Sequence, residues 1–369
     1  MKIGIDAHAL GTKSAGNESY YLQLLRALAC HPSNGHRYVI YFTHPDGERY
    51  IPACGQFHAK RIWPASPYFR IPVAFPLECR REKLDVFHAQ YVVPPFCSSR
   101  IVTTIADILF ERYPELYRPS ERMKFGALFA WSARHSDHII TVSQSSKKDI
   151  VEQYHIDPQR VTVVYEAPRQ EFRPMNTDGC REVLAREYDI RSPFILYVGR
   201  INARKNLERL VEALSVLSSR GFSRQLVIVG KQDWLASRVV EKVHRLSLEL
   251  QVRFVGYVPN DHLPVFYNAA EVFAYPSICE GFGIPLVEAM ACGTPLVTSY
   301  GSSLEEVAGD AAVLADPYSV SSIAGSLEKV LSDPTLAAGL RERGLRRAGE
   351  FSEARKAADT IRVYHQASS

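Results

Sequence analysis

Phe194-Ile-Leu-Tyr-Val-Gly199-Arg200-Ile-Asn-Ala-Arg204-Lys205-Asn206-Leu207 reads as an apolar strand ending on glycine, a loop carrying cations, and the start of a helix. The same strand-to-glycine ending returns in Leu226-Val-Ile-Val-Gly230. Val252-Arg-Phe-Val255, Val272-Phe-Ala-Tyr275 and Pro295-Leu-Val-Thr298 follow, with helical stretches between them. Short apolar strands alternating with helices predict a parallel sheet covered on both faces.

The N-terminal half carries the same alternation. A strand over Lys2 to Ala7 leads into a small-residue loop, Gly11 to Asn17, and a helix from about Glu18 through Ala29. Tyr38–Phe42, Val86-Phe87, Ile101–Ile105 and His138–Val142 read as further buried strands, with helices near 68–83, 120–135 and 145–154. The Pro- and charge-rich passage from Ala167-Pro168 through Pro174 to Gly179 has the composition of an interdomain connection. The expected organisation is therefore an N-terminal domain over 1–175 and a C-terminal domain over 176–350. The last helical stretches lie near 319–331, 335–349 and 352–366, and the segment 351–369 is left free to pack back on the first domain.

A length of 369 residues suits two domains of roughly 150–200 residues each. The hydrophobic fraction of 46% and charged fraction of 23% are those of a folded globular protein. Met1-Lys2 runs straight into Ile3-Gly4-Ile5 with no leader pattern, and no apolar run reaches membrane-spanning length. The seven cysteines are scattered and never paired as C-x-x-C, so neither a zinc site nor a disulfide framework is signalled. A cytoplasmic location and no metal are the expectations. A net charge of +4 argues against nucleic acid as a partner. Arg80-Arg81-Glu82-Lys83 and the Arg341–Arg347 run leave peripheral contact with the inner face of a membrane, or with an anionic acceptor, open beside the plainer reading of solvated helix faces.

Ligands of open parallel sheets bind beyond the carboxyl ends of the strands. Gly199 to Asn206 places Arg200 and Lys205 there, two cations suited to a diphosphate whose charge grows as a sugar departs. An ordinary polar loop is the competing reading. Glu280-Gly281-Phe282-Gly283-Ile284-Pro285-Leu-Val-Glu288 offers glycines for close backbone approach and a helix N-terminus near Ile284 as an anion seat. Glu280 and Glu288 supply carboxylates for hydroxyl groups. Gly16, just before the first helix, is a weaker candidate for a phosphate contact, and the chain around Gly256-Tyr-Val258 a candidate for backbone contact with a base.

The runs E-G-F-G-I-P-L-V-E-A-M-A-C-G-T-P (280–295), Y-V-G-R-I-N-A-R-K-N-L (197–207) and T-V-S-Q-S-S-K-K-D-I (141–150) closely resemble the motifs of glycosyltransferase family 4. That resemblance implies the GT-B architecture, two facing Rossmann-like doubly wound domains with a cleft between them. It also implies retaining transfer of a sugar from a nucleoside diphosphate donor without an essential metal or cofactor. By position, Arg200 and Lys205 would bind the diphosphate, Glu288 the ribose, and Glu280 with Gly281, Phe282 and Gly283 the transferred sugar, while Gly16 would touch phosphate from the N-terminal domain. Segments 88–95 and 101–118 resemble bacterial mannosyl- or rhamnosyltransferases, which favours a mannose-like hexose, with GDP-mannose among the candidate donors and a glycan or lipid-linked saccharide as acceptor.

One position departs from the family pattern. Relatives carry a His-Asp pair after the strand at 101–105, whereas this chain has Ala106-Asp107. His88 is the nearest candidate for acceptor-side work, with a satisfied structural histidine as the alternative, and Asp107 is either a loop-orienting or a turn residue. Ala106 also leaves open a catalytically weakened sugar-nucleotide-binding protein. A sugar-nucleotide epimerase on the same fold ranks below both.

Overall fold

The computed structural model describes residues 1–12, 15–32, 35–231 and 236–369. The chain divides into two compact units, Met1–Ala167 with Ser352–Ser369, and Pro168–Phe351. Each unit is built on one wholly parallel sheet. The first holds β1 (Lys2–Asp6), β2 (Arg37–Phe42), β3 (Phe57–Arg61), β4 (Val86–Gln90), β5 (Arg100–Thr104), β6 (His138–Thr141) and β7 (Val161–Val163), in the order β3-β2-β1-β4-β5-β6-β7. The second holds β8 (Phe194–Val198), β9 (Gln225–Val229), β10 (Val252–Gly256), β11 (Val272–Tyr275), β12 (Leu296–Ser299) and β13 (Ala312–Ala315), in the order β10-β9-β8-β11-β12-β13. In both sheets the order reverses beside the first strand, at β1/β4 and at β8/β11. Helices diverge there and leave a crevice beyond the strand ends.

The period of two along a strand is what makes these sheets two-sided. Tyr38 and Ile40 enter one core cluster together with Ile3, Ile5 and Leu24, while Val39 and Tyr41 enter another with Phe75, Phe87 and Cys79. Central strands, buried on both faces, favour apolar runs. β8 (FILYV) is buried at all five positions.

The first helix spans Ala15–Cys30, three residues earlier than the sequence suggests. Gly16 therefore sits in its first turn, exposed, and a Cβ there would meet no other atom within 4 Å. Its N–H is one of the helix-end donors that have no partner within the helix. Lys13 and Ser14 of the preceding loop lie outside the described residues. Glu18 turns back to accept the Gly11 N–H at 2.8 Å, which ties the loop down.

The closing helix, Glu353–Ser368, belongs to the first unit's core: Ala357, Ile361, Val363 and Tyr364 pack with Ile3, Ile5 and Leu28. Its Lys356 is 2% exposed and pairs with Glu166, 4% exposed, while the ammonium lies 5.0 Å from the centre of the Tyr20 ring. Two charges this deep persist only because each answers the other. Lys356→Ala is expected to destabilise the N-terminal unit by about 3–5 kcal/mol by stranding the Glu166 carboxylate, and Glu166→Leu combined with Lys356→Met should recover most of that loss. Urea denaturation checks both, and a wild-type midpoint for the single variant would contradict the assignment.

Candidate functional site

The switch point of the C-terminal sheet brings together the two loops singled out from sequence. The loop after β8 runs from Gly199 to Asn206, and the loop after β11 from Pro276 to Gly283. They are stitched to each other by hydrogen bonds to backbone carbonyls. Ile278 donates its N–H to Arg204 O at 2.8 Å, and Asn206 Nδ2 donates to Pro276 O at 2.9 Å and Pro317 O at 2.6 Å. Asn206 adopts φ +61°, a left-handed turn that Asn tolerates, and so serves as a hinge pin into the helix Leu207–Ser219. Ser303 Oγ donates to Glu280 O at 2.6 Å and fixes the second loop from below.

Three glycines at and beside these loops adopt backbone angles that side chains rarely allow. Gly199 (φ +151°) and Gly230 (φ +148°) close β8 and β9, and a Cβ on Gly230 would lie 2.0 Å from Gly199 O. Gly283 (φ +97°) opens the helix Ile284–Cys292 without a side-chain cap, and a Cβ there would meet Leu304 at 2.6 Å. Pro285 occupies the first turn of that helix. The uncapped N-terminus aims partial positive charge into the crevice.

Between the loops lies a buried ion network. Glu280 is 7% exposed; its Oε1 accepts from Lys205 Nζ at 2.5 Å and its Oε2 pairs with Arg204. Lys205, also 7% exposed, donates a second bond to the Tyr275 hydroxyl at the end of β11. An ammonium has three donors, and among the described residues the third meets no hydrogen-bond acceptor. Burial alone would raise the Glu280 carboxyl, but Arg204 and Lys205 overcome it and hold the group down at about 2. Burial pulls the Lys205 ammonium down to about 8, against the support of Glu280 and with the help of Arg204.

Glu288 sits in a different environment one helical turn on. Burial pushes its carboxyl up to about 7, opposed by Arg169 at 3.8 Å and by the Tyr267 hydroxyl, which donates at 3.2 Å. Two carboxylates from one sequence motif are thus pushed in opposite directions, Glu280 ionised throughout and Glu288 titrating near neutrality.

The remaining expected residues take several positions. Arg200 is exposed and pairs with no described residue; its carbonyl accepts the Tyr197 hydroxyl at 3.2 Å. Phe282 is 5% exposed, its ring packs against Phe351 and its carbonyl accepts from Ser303 Oγ at 3.4 Å. Val258 is 3% exposed, which leaves its side chain no access to a ligand, in a loop where Gly256 O accepts the Gly230 N–H at 2.8 Å. Gly281 is buried and Ile284 half-buried at the same helix start.

Three candidates lie in the N-terminal unit. His88 is 2% exposed, with Nδ1 on the Tyr364 hydroxyl at 2.7 Å and Nε2 on Thr104 Oγ1 at 2.8 Å. Burial pushes its imidazole down to about 3. Both nitrogens are engaged inside the core, which is the structural reading of this residue. Ala106 lies just past β5, half-buried, its carbonyl accepting from Thr141 Oγ1 at 3.2 Å. Asp107 Oδ1 accepts the Leu109 N–H at 3.3 Å, a turn-forming bond.

Sequence reasoning missed Arg204 as the second partner of Glu280 and Tyr275 as the brace of Lys205. Both were within reach of inference: Arg204 stands in the same cationic loop, and Tyr275 is the last residue of a strand whose carboxyl end borders the crevice.

Comparisons with known proteins agree with this architecture. Residues 184–347 match the family model for glycosyl transferases group 1, and residues 15–167 that for glycosyltransferase family 4. The O-antigen chain mannosyltransferase B of Escherichia coli is 33% identical over 281 residues, covering 76% of this chain and 74% of that protein. The serotype-specific mannosyltransferase WbdA of Escherichia coli is 31% identical over 228 residues, 60% of this chain but 28% of that longer protein. Among solved structures, sucrose-phosphate synthase from Thermosynechococcus elongatus superposes with a TM-score of 0.79 at 21% identity, covering 99% of this chain and 98% of that one, a likeness of fold. Among the described residues no helix is long and apolar enough to cross a membrane.

Proposed function

The chain belongs to glycosyltransferase family 4, and from that premise we propose that it moves a hexose, mannose favoured, from a nucleoside diphosphate sugar to a hydroxyl of a glycan or lipid-linked saccharide. Transfer proceeds with retention and without a metal ion. The observation that carries this reading is the convergence, at one strand switch point, of Arg200, the spare Lys205 donor and an uncapped helix N-terminus. These are donors suited to the charge that a departing diphosphate develops. The names of the two Escherichia coli relatives favour mannose.

In this mechanism the bond from the anomeric carbon to the diphosphate breaks, and the acceptor oxygen arrives on the same face of an oxocarbenium-like sugar. The acceptor proton passes to the leaving oxygen. Arg200 and Lys205 stabilise the diphosphate, and the ionised Glu280, with the backbone of Gly281 to Gly283, orients the sugar hydroxyls. Glu288 takes the ribose, its carboxylate accepting hydroxyl hydrogens. Preorganisation does most of the work, because the charged groups are already held in place by one another.

Arg200→Ala is expected to lower kcat/KM by about 10²–10³ with thermal stability unchanged. Lys205→Ala should do the same at some cost in stability, since Glu280 keeps only Arg204. Wild-type turnover in both would sink the diphosphate assignment. In the same assay excess EDTA should leave the rate unchanged, and loss of turnover restored by magnesium would overturn metal independence.

Ala106 supports a second reading, a donor-binding protein with weakened transfer. Ala106→His should raise turnover if the family role is latent; an unchanged or lower rate shows that the site has been rebuilt around alanine.

The pH dependence of nucleoside diphosphate binding follows from the two shifted groups. Lys205 is charged below about 8, so affinity should fall as pH rises through that value. Glu288 is ionised above about 7, so affinity should also fall as pH drops through that value. Calorimetry is expected to show an optimum between the two limbs, with the acid limb flattened in Glu288→Gln. An acid limb identical in that variant would belong to the ligand's own phosphate and remove Glu288 from the site.

A further inference from the structure

Residues 63–83 turn an apolar face to solvent where a surface helix ordinarily turns a polar one. Pro67–Phe69, a π-helical turn over Arg70–Ala74 and the helix Phe75–Glu82 follow one another without a break. Arg70, Phe75 and Cys79 are the buried positions of this stretch. On the outside, Tyr68 is 81% exposed, Leu77 59%, and Phe69 and Val73 39% each. Trp63 is 80% exposed, in a loop held back against the helical stretch by Arg70 NH1 donating to Ala65 O at 2.8 Å.

The charges beside this face are one-sided. Glu78 and Glu82 are engaged by Lys60 at 2.5 and 2.8 Å, and Glu82 also by Lys2 at 2.6 Å. Arg80, Arg81 and Lys83 are exposed and form no ion pair with any described residue. The acidic residues of the stretch are thus neutralised by lysines, and three cations remain uncompensated at the end of an aromatic and aliphatic stripe.

We propose that this face docks the N-terminal unit on an anionic lipid surface, with Tyr68, Phe69, Val73 and Leu77 entering the headgroup boundary and Arg80, Arg81 and Lys83 on lipid phosphates. Amphipathic rings suit that boundary, and basic side chains flanking an apolar face bind anionic lipid. A second copy of the chain fits poorly as the occupant. An isologous contact through this face would bring the same three cations of each copy together. The inference goes beyond the transferase reading and needs neither donor nor acceptor.

The test is flotation of the full chain with vesicles of phosphatidylcholine alone and of phosphatidylcholine mixed in equal parts with phosphatidylglycerol. Binding is expected to be at least about tenfold stronger to the anionic vesicles, at about fivefold per cation. Tryptophan emission should shift to the blue on binding, and Trp63→Phe should diminish that shift. Arg80→Glu with Arg81→Glu, and separately Tyr68→Ser with Leu77→Ser, should each cut binding at least about tenfold without moving Tm or nucleoside diphosphate affinity. No flotation, or equal flotation of wild type and both variants, overturns the proposal. So does a concentration-dependent dimer, abolished by the same variants, in a chain that ignores vesicles. Intact nucleotide binding in any of these cases would leave the transferase reading standing.

Discussion

The pairing of Glu280 with Lys205 and Arg204 is the interaction on which the C-terminal site depends. Each of these charges, taken alone out of water, would cost several kcal/mol, and two of the three groups are 7% exposed. Together they cancel that cost and lock the loop after β8 to the loop after β11. The topology makes the meeting possible. β8 and β11 are neighbours in space but far apart in sequence, and the helices that follow them leave in opposite directions at the switch point. Glycine at Gly199, Gly230 and Gly283 lets the backbones close in; a side chain at Gly230 would collide with the Gly199 carbonyl.

The network also separates the two carboxylates of one motif by environment rather than by residue type. Glu280 faces two cations and stays ionised, whereas Glu288 meets Arg169 only at 3.8 Å and is raised by burial. An anion seat beside a carboxylate looks self-defeating until Glu280 is seen as the group that keeps Lys205 charged at all. Burial lowers that ammonium and Glu280 is the largest influence raising it. The acid next to the seat thereby contributes to its positive charge.

Much of this was legible in the sequence because central strands of a parallel sheet are largely apolar: β8 and β11 are so at every position, and β9 runs Leu-Val-Ile-Val after Gln225. The strands that sequence reading misses, Phe57–Arg61, Val161–Val163 and Ala312–Ala315, are β3, β7 and β13, all at sheet edges. An edge strand is covered less completely, so FHAKR can be half-exposed and still pair with β2 along its length. The helix Thr177–Tyr188 hides behind Asn176-Thr-Asp-Gly179, which has the composition of a loop; Asn176 accepts the Gly179 N–H at 2.8 Å and is its N-cap. At the site, residue types and order were readable, but partnership was not. The pairing of Arg204 and Lys205 with a carboxylate some 75 residues away appears only once the two strand ends meet. His88 shows the converse, a chemically suggestive residue that packing has used up.

Titration of a nucleoside diphosphate into Glu280→Gln tests this account most directly. The ligand carries no sugar, so any change reports on the seat alone, and glutamine keeps the acceptor oxygen while removing the charge. Because Glu280 sustains the charge on Lys205, affinity near pH 8 should fall about tenfold despite the loss of a negative group beside the phosphates, equivalent to about 1.4 kcal/mol. Unchanged or tighter binding would mean that Glu280 merely repels the anion, and that the network is not what holds the site together.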